Sequence, residues 1–126
     1  MPELLYKELS YKINGILFKV YNNLGYGYQE KAYQKVIALE LDKNKLKYKR
    51  ELKTNLMYDN HEIGKYYLDF LVDNKIILEI KTGNFFHKKD YYQIKNYLKV
   101  HNLELGLLVL FSLNKVEIKR ILNKIY

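Results

Sequence analysis

Apolar residues recur at helical spacing near the start of the chain, at Leu5, Leu9, Ile13, Ile16, Leu17, Val20 and Leu24, predicting a helix over residues 3–24. Gly25 and Gly27 end it. A second helix is expected over residues 29–45, burying Ala32, Tyr33, Val36, Ile37, Leu39 and Leu41. The pattern then changes period. Residues 47–58 and 62–72 alternate in the manner of strands, and the Asp59-Asn60 turn between them makes a hairpin. Asp73-Asn74-Lys75 turns the chain into a third strand, residues 76–81. A helix over residues 88–101 carries Tyr91, Ile94, Tyr97 and Leu98 on one side. The continuous apolar run Leu105–Phe111 reads as a strand buried on both faces, and residues 116–122 as a last strand or short helix. A strand–helix–strand crossover following an antiparallel meander implies a mixed sheet with helices on its faces. Without linker, repeat or low-complexity segment, residues 1–126 are expected to form one α/β domain.

Alternation sorts the strand side chains. Tyr67, Asp69 and Leu71 are expected on one face of their strand, with Leu68, Phe70 and Val72 on the other. In the next strand Ile77, Glu79 and Lys81 oppose Ile76, Leu78 and Ile80. The tight turn makes these strands antiparallel neighbours, so Asp69 can lie near Glu79, which follows ten positions later. Two carboxylates that close repel each other, and a divalent cation relieves the repulsion while polarising a phosphate oxygen and acidifying water. Lys81 could orient or deprotonate that water or offset charge on the phosphate. The same three residues also fit a cross-strand ion network in which Lys81 only neutralises the acids.

Two further patterns bear on that choice. In Gly27-Tyr28-Gln29-Glu30-Lys31-Ala32-Tyr33 a glycine break precedes a helix with Glu30 in its first turn and Tyr33 one turn on. A glutamate there is also ordinary helix-dipole stabilisation. Gln93 and Tyr97 stand four apart on one helix face, where an amide and a phenol could bind a phosphate, a base or a water, or simply pack on the sheet.

Composition narrows the class. There is no cysteine, which excludes disulfides and thiolate metal sites, and the three histidines are widely spaced, so any metal would be a hard ion held by oxygen. The formal charge of +8 suits a polyanionic partner. The scarcity of arginine and alanine beside abundant Lys, Asn and Tyr also fits an AT-rich codon bias, so the charge supports a nucleic-acid reading without carrying it. Met1-Pro2-Glu3-Leu4-Leu5 does not resemble a signal peptide, and no apolar run approaches the roughly 18 residues of a membrane span, so a cytoplasmic protein is expected.

Taken together the motifs resemble the GxxExxY proteins of the PD-(D/E)xK nuclease superfamily, similar in turn to RecB-type exonuclease domains. Gly27-x-x-Glu30-x-x-Tyr33 matches the name-giving motif, Asp69 with Glu79-Ile80-Lys81 the metal-binding and catalytic motif, and Gln93-x-x-x-Tyr97 the Gln-x-x-x-Tyr motif of the RecB-like branch. The run Gly106–Phe111 followed by Ile118-Lys119-Arg120 resembles the family's last strand pair, and the similarity covers about residues 5–122.

The resemblance implies a restriction-endonuclease-like fold in α-α-β-β-β-α-β-β order. It implies Mg²⁺ or Mn²⁺ held by Asp69, Glu79 and the Ile80 carbonyl, with Glu30 as a further ligand directly or through water. Lys81 would position or activate the attacking water, and Gln93 and Tyr97 would orient the substrate strand or the water. The implied activity is phosphodiester hydrolysis in nucleic acid, DNA before RNA, by a homodimer or with a targeting partner. A non-catalytic nucleic-acid-binding or assembly module on the same fold, or a small protein-interaction domain, are the alternatives. Three stretches depart from the family. Asp90 stands where a His often precedes the motif glutamine by three residues, with His87 three earlier still in the loop. Phe85-Phe86 replaces the usual Pro or Thr before that helix, and Leu68 replaces the superfamily proline before Asp69.

Overall fold

The structure, a computed structural model, describes residues 5–123. Three helices, α1 (Lys7–Leu24), α2 (Glu30–Lys43) and α3 (Lys88–Val100), surround five strands, β1 (Tyr48–Tyr58), β2 (His61–Val72), β3 (Ile76–Thr82), β4 (Leu105–Phe111) and β5 (Val116–Leu122). The expected helix over residues 3–24 begins at Lys7, after Tyr6 in the left-handed region; its expected first residues, Glu3 and Leu4, lie outside the described residues. The final element, left open between strand and helix, is a strand.

The strands lie side by side in chain order, β1-β2-β3-β4-β5. All neighbours are antiparallel except β3 and β4, which run parallel because α3 carries the chain back across one face. Both hairpin turns use short polar residues at positive φ: Asp59 (46°) and Asn60 (63°), then Asp73 (53°) and Asn74 (54°). One sheet face packs Phe70, Val72, Leu78, Ile80, Leu107 and Val109 against α1 and α2. From the helices come Ile13, Leu17, Ile37 and Leu41, each essentially inaccessible and each contributing on the order of 1.5–3 kcal/mol by burial. Leu39, expected in that interface, is 58% exposed, and Ala38 takes its place. The helical stripe runs through Tyr33, Ile37 and Leu41, which turns Leu39 toward solvent. Lys19 of α1 donates to Glu40 of α2 at 2.8 Å, holding that carboxylate below its ordinary range and tying the two helices.

The other face packs Ile94, Tyr97 and Leu98 of α3 on Ile77, Leu108 and Ile121. Gly106 permits this approach, since a Cβ there would lie 2.5 Å from Ile94 Cγ2.

The expected alternation of β2 fails at one point. Leu68 packs with Leu71 and Tyr66 under α3, not with Phe70 and Val72. The β1–β2 ladder holds its register through Arg50↔Phe70 and Leu52↔Leu68 but omits the pair between them, Glu51 and Asp69, where Glu51 has φ 54°. Where the ladder skips a pair the pleat is broken in both strands, and side chains on the two sides of the break lie on different faces. The break falls at Asp69.

Candidate active site

The β2–β3 ladder is short: Val72↔Ile76, Leu71↔Ile77 and Phe70↔Leu78. Continued by one step, its register would set Asp69 opposite Glu79. Instead the strands part there, at the kink in β2, and the backbone groups released are taken by acidic side chains. Ile80 N–H donates to Asp69 Oδ2 at 2.7 Å, and Asp69 N–H donates to Glu79 Oε1 at 3.1 Å. One turn of pleat further on, Thr82 N–H donates to Glu30 Oε2 at 3.2 Å. Three acids therefore line the edge of β3 that β2 has vacated. Because a strand residue's N–H and C=O leave on the same edge, the Ile80 carbonyl points to this gap as well.

Glu30 reaches the gap from the first turn of α2, where Gly25 (φ 72°) and Gly27 (φ 116°) bring the chain in from α1. The motif tyrosine, Tyr33, is fully buried and donates its hydroxyl to the Gly25 carbonyl at 2.5 Å, while its ring packs on Phe111. It fixes the glycine turn that presents Glu30. One helical turn beyond Glu30, Gln34 Nε2 donates to Asp69 Oδ1 at 3.0 Å. Gln34 was not among the expected site residues, although its i+4 spacing from Glu30 places it on the same side of the helix.

Lys81 leaves β3 on the α3 side and meets Asp90, Nζ to Oδ1 at 3.5 Å. Asp90 is 3% exposed and belongs to the apolar face of α3 with Ile94 and Tyr97. It too was absent from the expected set; a buried acid at apolar spacing, four residues before Ile94, signals a cationic partner. Glu30, Lys81, Phe85, His87 and Asp90 border a cleft of about 450 Å³.

Gln93 and Tyr97 lie deeper under α3. Tyr66 donates its hydroxyl to the Gln93 carbonyl at 2.7 Å and accepts from Asn96 Nδ2 at 3.2 Å. Tyr97 is buried with its ring stacked on His101, centroids 4.1 Å apart, and burial raises its hydroxyl pKa. Burial raises the Tyr66 hydroxyl too, and the charge of Glu79 adds to it.

Burial dominates the electrostatics. It raises Asp69, against the opposing influence of hydrogen bonds from Glu79 and the Ile80 N–H. Burial, followed by the charge of Asp69, pushes Glu79 up to about 9. The two carboxyl groups therefore hold a proton between them at neutral pH. Burial alone would lower Lys81, but Glu79, Asp90, Glu30 and Asp69 together raise it, so its ammonium stays charged.

Among the described residues no three His, Cys, Asp or Glu side chains converge as a ready-made metal cage. The donors at the gap nevertheless fit a hard divalent ion. Asp69 and Glu79 supply two carboxylates whose mutual repulsion an ion would relieve, and the Ile80 carbonyl faces the same gap. An ion such as Mg²⁺ usually keeps several waters and needs few protein ligands.

A parted strand pair with acids at the fork, in a mixed five-stranded sheet flanked by helices, defines a restriction-endonuclease-like fold. The chain belongs to the PD-(D/E)XK nuclease superfamily, whose profile matches residues 7–121. Among solved structures it is similar to that of SSO0001, with a TM-score of 0.50 and 16% identity over 94% of this chain and 79% of that one, a likeness of fold. No curated protein matches the chain. Superfamily membership carries with it a nuclease-type domain, nucleic acid as the class of substrate and a divalent metal as the usual cofactor. Among the described residues no helix is long and apolar enough to cross a membrane.

Proposed function

We propose that the protein is a divalent-metal-dependent phosphodiesterase cleaving nucleic acid, DNA before RNA. Within the superfamily it groups with the GxxExxY proteins and the RecB-like branch, residues 1–126 acting as one nuclease domain. The observation that carries this reading is the placement of Asp69 and Glu79 at the fork where the β2–β3 ladder ends, joined across it by the hydrogen bonds from Ile80 N–H to Asp69 and from Asp69 N–H to Glu79, with burial raising both carboxyls. A structural ion network gains nothing from burying a second acid that must stay protonated.

Asp69, Glu79 and the Ile80 carbonyl would hold Mg²⁺ or Mn²⁺, which polarises the phosphate and acidifies water when bound. Glu30, committed to Thr82 on the same edge, supplies outer negative charge and a hydrogen-bond acceptor for water. Lys81, held charged among Glu79, Asp90 and Glu30, directs the water and offsets charge that builds on the phosphate. Gln34 keeps one Asp69 oxygen fixed, and Gln93 and Tyr97 of α3 would orient the substrate strand or the water.

The test compares wild type with Lys81→Ala on labelled linear and circular DNA, single- and double-stranded, in Mn²⁺, with binding followed separately in Ca²⁺. Cleavage is expected to fall by about 10²–10⁴ while binding, spread over many lysines, changes little. Undiminished cleavage would make Lys81 a structural counter-ion. Absence of cleavage by wild type under every metal condition would leave a nucleic-acid-binding module.

A further inference from the structure

The loop from β3 to α3 and the first turns of α3 carry a concentration of aromatic rings and lysines that the carboxylate site does not use. Phe85 is 65% exposed and Tyr92 63%. Their neighbours are different. Lys119 of β5 lies over the rings of both Phe86 (5.9 Å) and Tyr91 (5.6 Å), and Lys95 over Tyr91 at 5.6 Å, so those two faces are already covered by cations. Phe85 meets His87 edge-to-face, centroids 5.3 Å apart, and Tyr92 meets Tyr91 likewise at 5.4 Å. Two rings thus remain open to solvent, set among exposed lysines at positions 88, 89, 95 and 119.

Their place in the fold matters as much as their exposure. His87 lines both the 450 Å³ cleft over Lys81 and a second groove of about 190 Å³ bordered by Phe86, Tyr92 and Lys119. Lys81 on β3 and Lys119 on β5 are two strands apart, about 10 Å across the sheet. A continuous track therefore leads from the carboxylate gap, over the loop holding Phe85, to the groove beside Tyr92. An open ring beside a cation gains most from an unpaired base, because every base has a π-face and the phosphate between bases needs the charge. A duplex hides those faces in its own stack and offers the rings nothing.

We propose that this surface binds unpaired nucleic acid, bases stacking on Phe85 and Tyr92 and phosphates on the surrounding lysines, so that single strands or frayed ends are the substrate class fed to the carboxylate site. The proposal rests on the nuclease reading only for what happens at the carboxylates; binding stands by itself. The experiment measures anisotropy of a labelled oligothymidylate and of a blunt duplex of equal length in Ca²⁺, for wild type, Phe85→Ala/Tyr92→Ala and Phe85→Leu/Tyr92→Leu. Melting curves verify that each variant folds. Single-strand affinity is expected to fall about tenfold or more in both variants, with duplex affinity nearly unchanged. Equal losses for the two ligands, or wild-type affinity in the leucine variant, would overturn the proposal. So would a shift from dimer to monomer in sedimentation with strand preference unaltered, which would assign the rings to a second copy of the chain. Cleavage is not read in this assay, so a wild type that prefers single strands through these rings yet cuts nothing defeats the nuclease reading alone.

Discussion

The proton held between Asp69 and Glu79 makes stability depend on pH in an unusual direction. In the unfolded chain Glu79 titrates near 4.5, whereas in the native protein burial and the charge of Asp69 push it up to about 9. Between those values the native state keeps a proton that the unfolded state has lost. Stability is then fully present below the unfolded pKa and falls as pH rises toward 9, at up to about 1.4 kcal/mol per pH unit for one proton. From pH 6 to pH 8 the loss is on the order of 2–3 kcal/mol, a large part of a small domain's stability. Asp69, also raised by burial, acts in the same direction as Glu79, whereas Glu40 is lowered and matters at acid pH, and Lys81 and the buried tyrosines are raised and matter in alkali. Glu79→Gln keeps the shape and removes the proton, so its profile should be flatter. Urea denaturation of both proteins in EDTA at a series of pH values measures this. Added Mn²⁺ should displace the shared proton from wild type, with affinity rising about tenfold per pH unit for one proton released, and should do little for the variant. Parallel profiles for the two proteins, or equal stabilisation of both by Mn²⁺, would refute the shared proton and the metal assignment together.

Tyr33→Phe removes the bond to the Gly25 carbonyl from a fully buried ring and should cost about 1 kcal/mol, read as a lowered urea midpoint. Gly106→Ala sets a methyl 2.5 Å from Ile94 and should lift α3 from the sheet at about 1–3 kcal/mol, with a matching fall in melting temperature. Asp90→Asn leaves Lys81 without its buried anchor, and cleavage should drop about tenfold or more while the Mn²⁺-induced rise in melting temperature persists; loss of the Mn²⁺ effect as well would place Asp90 among the groups that hold the metal.

The sequence by itself determined what is local. Helical periodicity placed α1, α2 and α3 within a few residues, and Asp59-Asn60 and Asp73-Asn74 marked turns because short polar side chains accept the left-handed backbone that tight hairpins need. The five-stranded mixed sheet followed from one crossover and a meander. Asp69 and Glu79 could be paired because a tight turn fixes register over the few residues that follow it. Tertiary structure decided the rest. Leu68 changed face because the β1–β2 ladder skips the Glu51–Asp69 pair, an irregularity that nothing in the alternation signals. Glu30 went to Thr82, 52 residues away, and Gln34 to Asp69, 35 residues away, because α2 lies along the vacated edge of β3. Asp90 found Lys81 only once α3 had closed over the sheet. A strand pattern tells which way a side chain points, but the partner that holds it, and the proton it keeps, depend on what distant elements bring within a few ångströms.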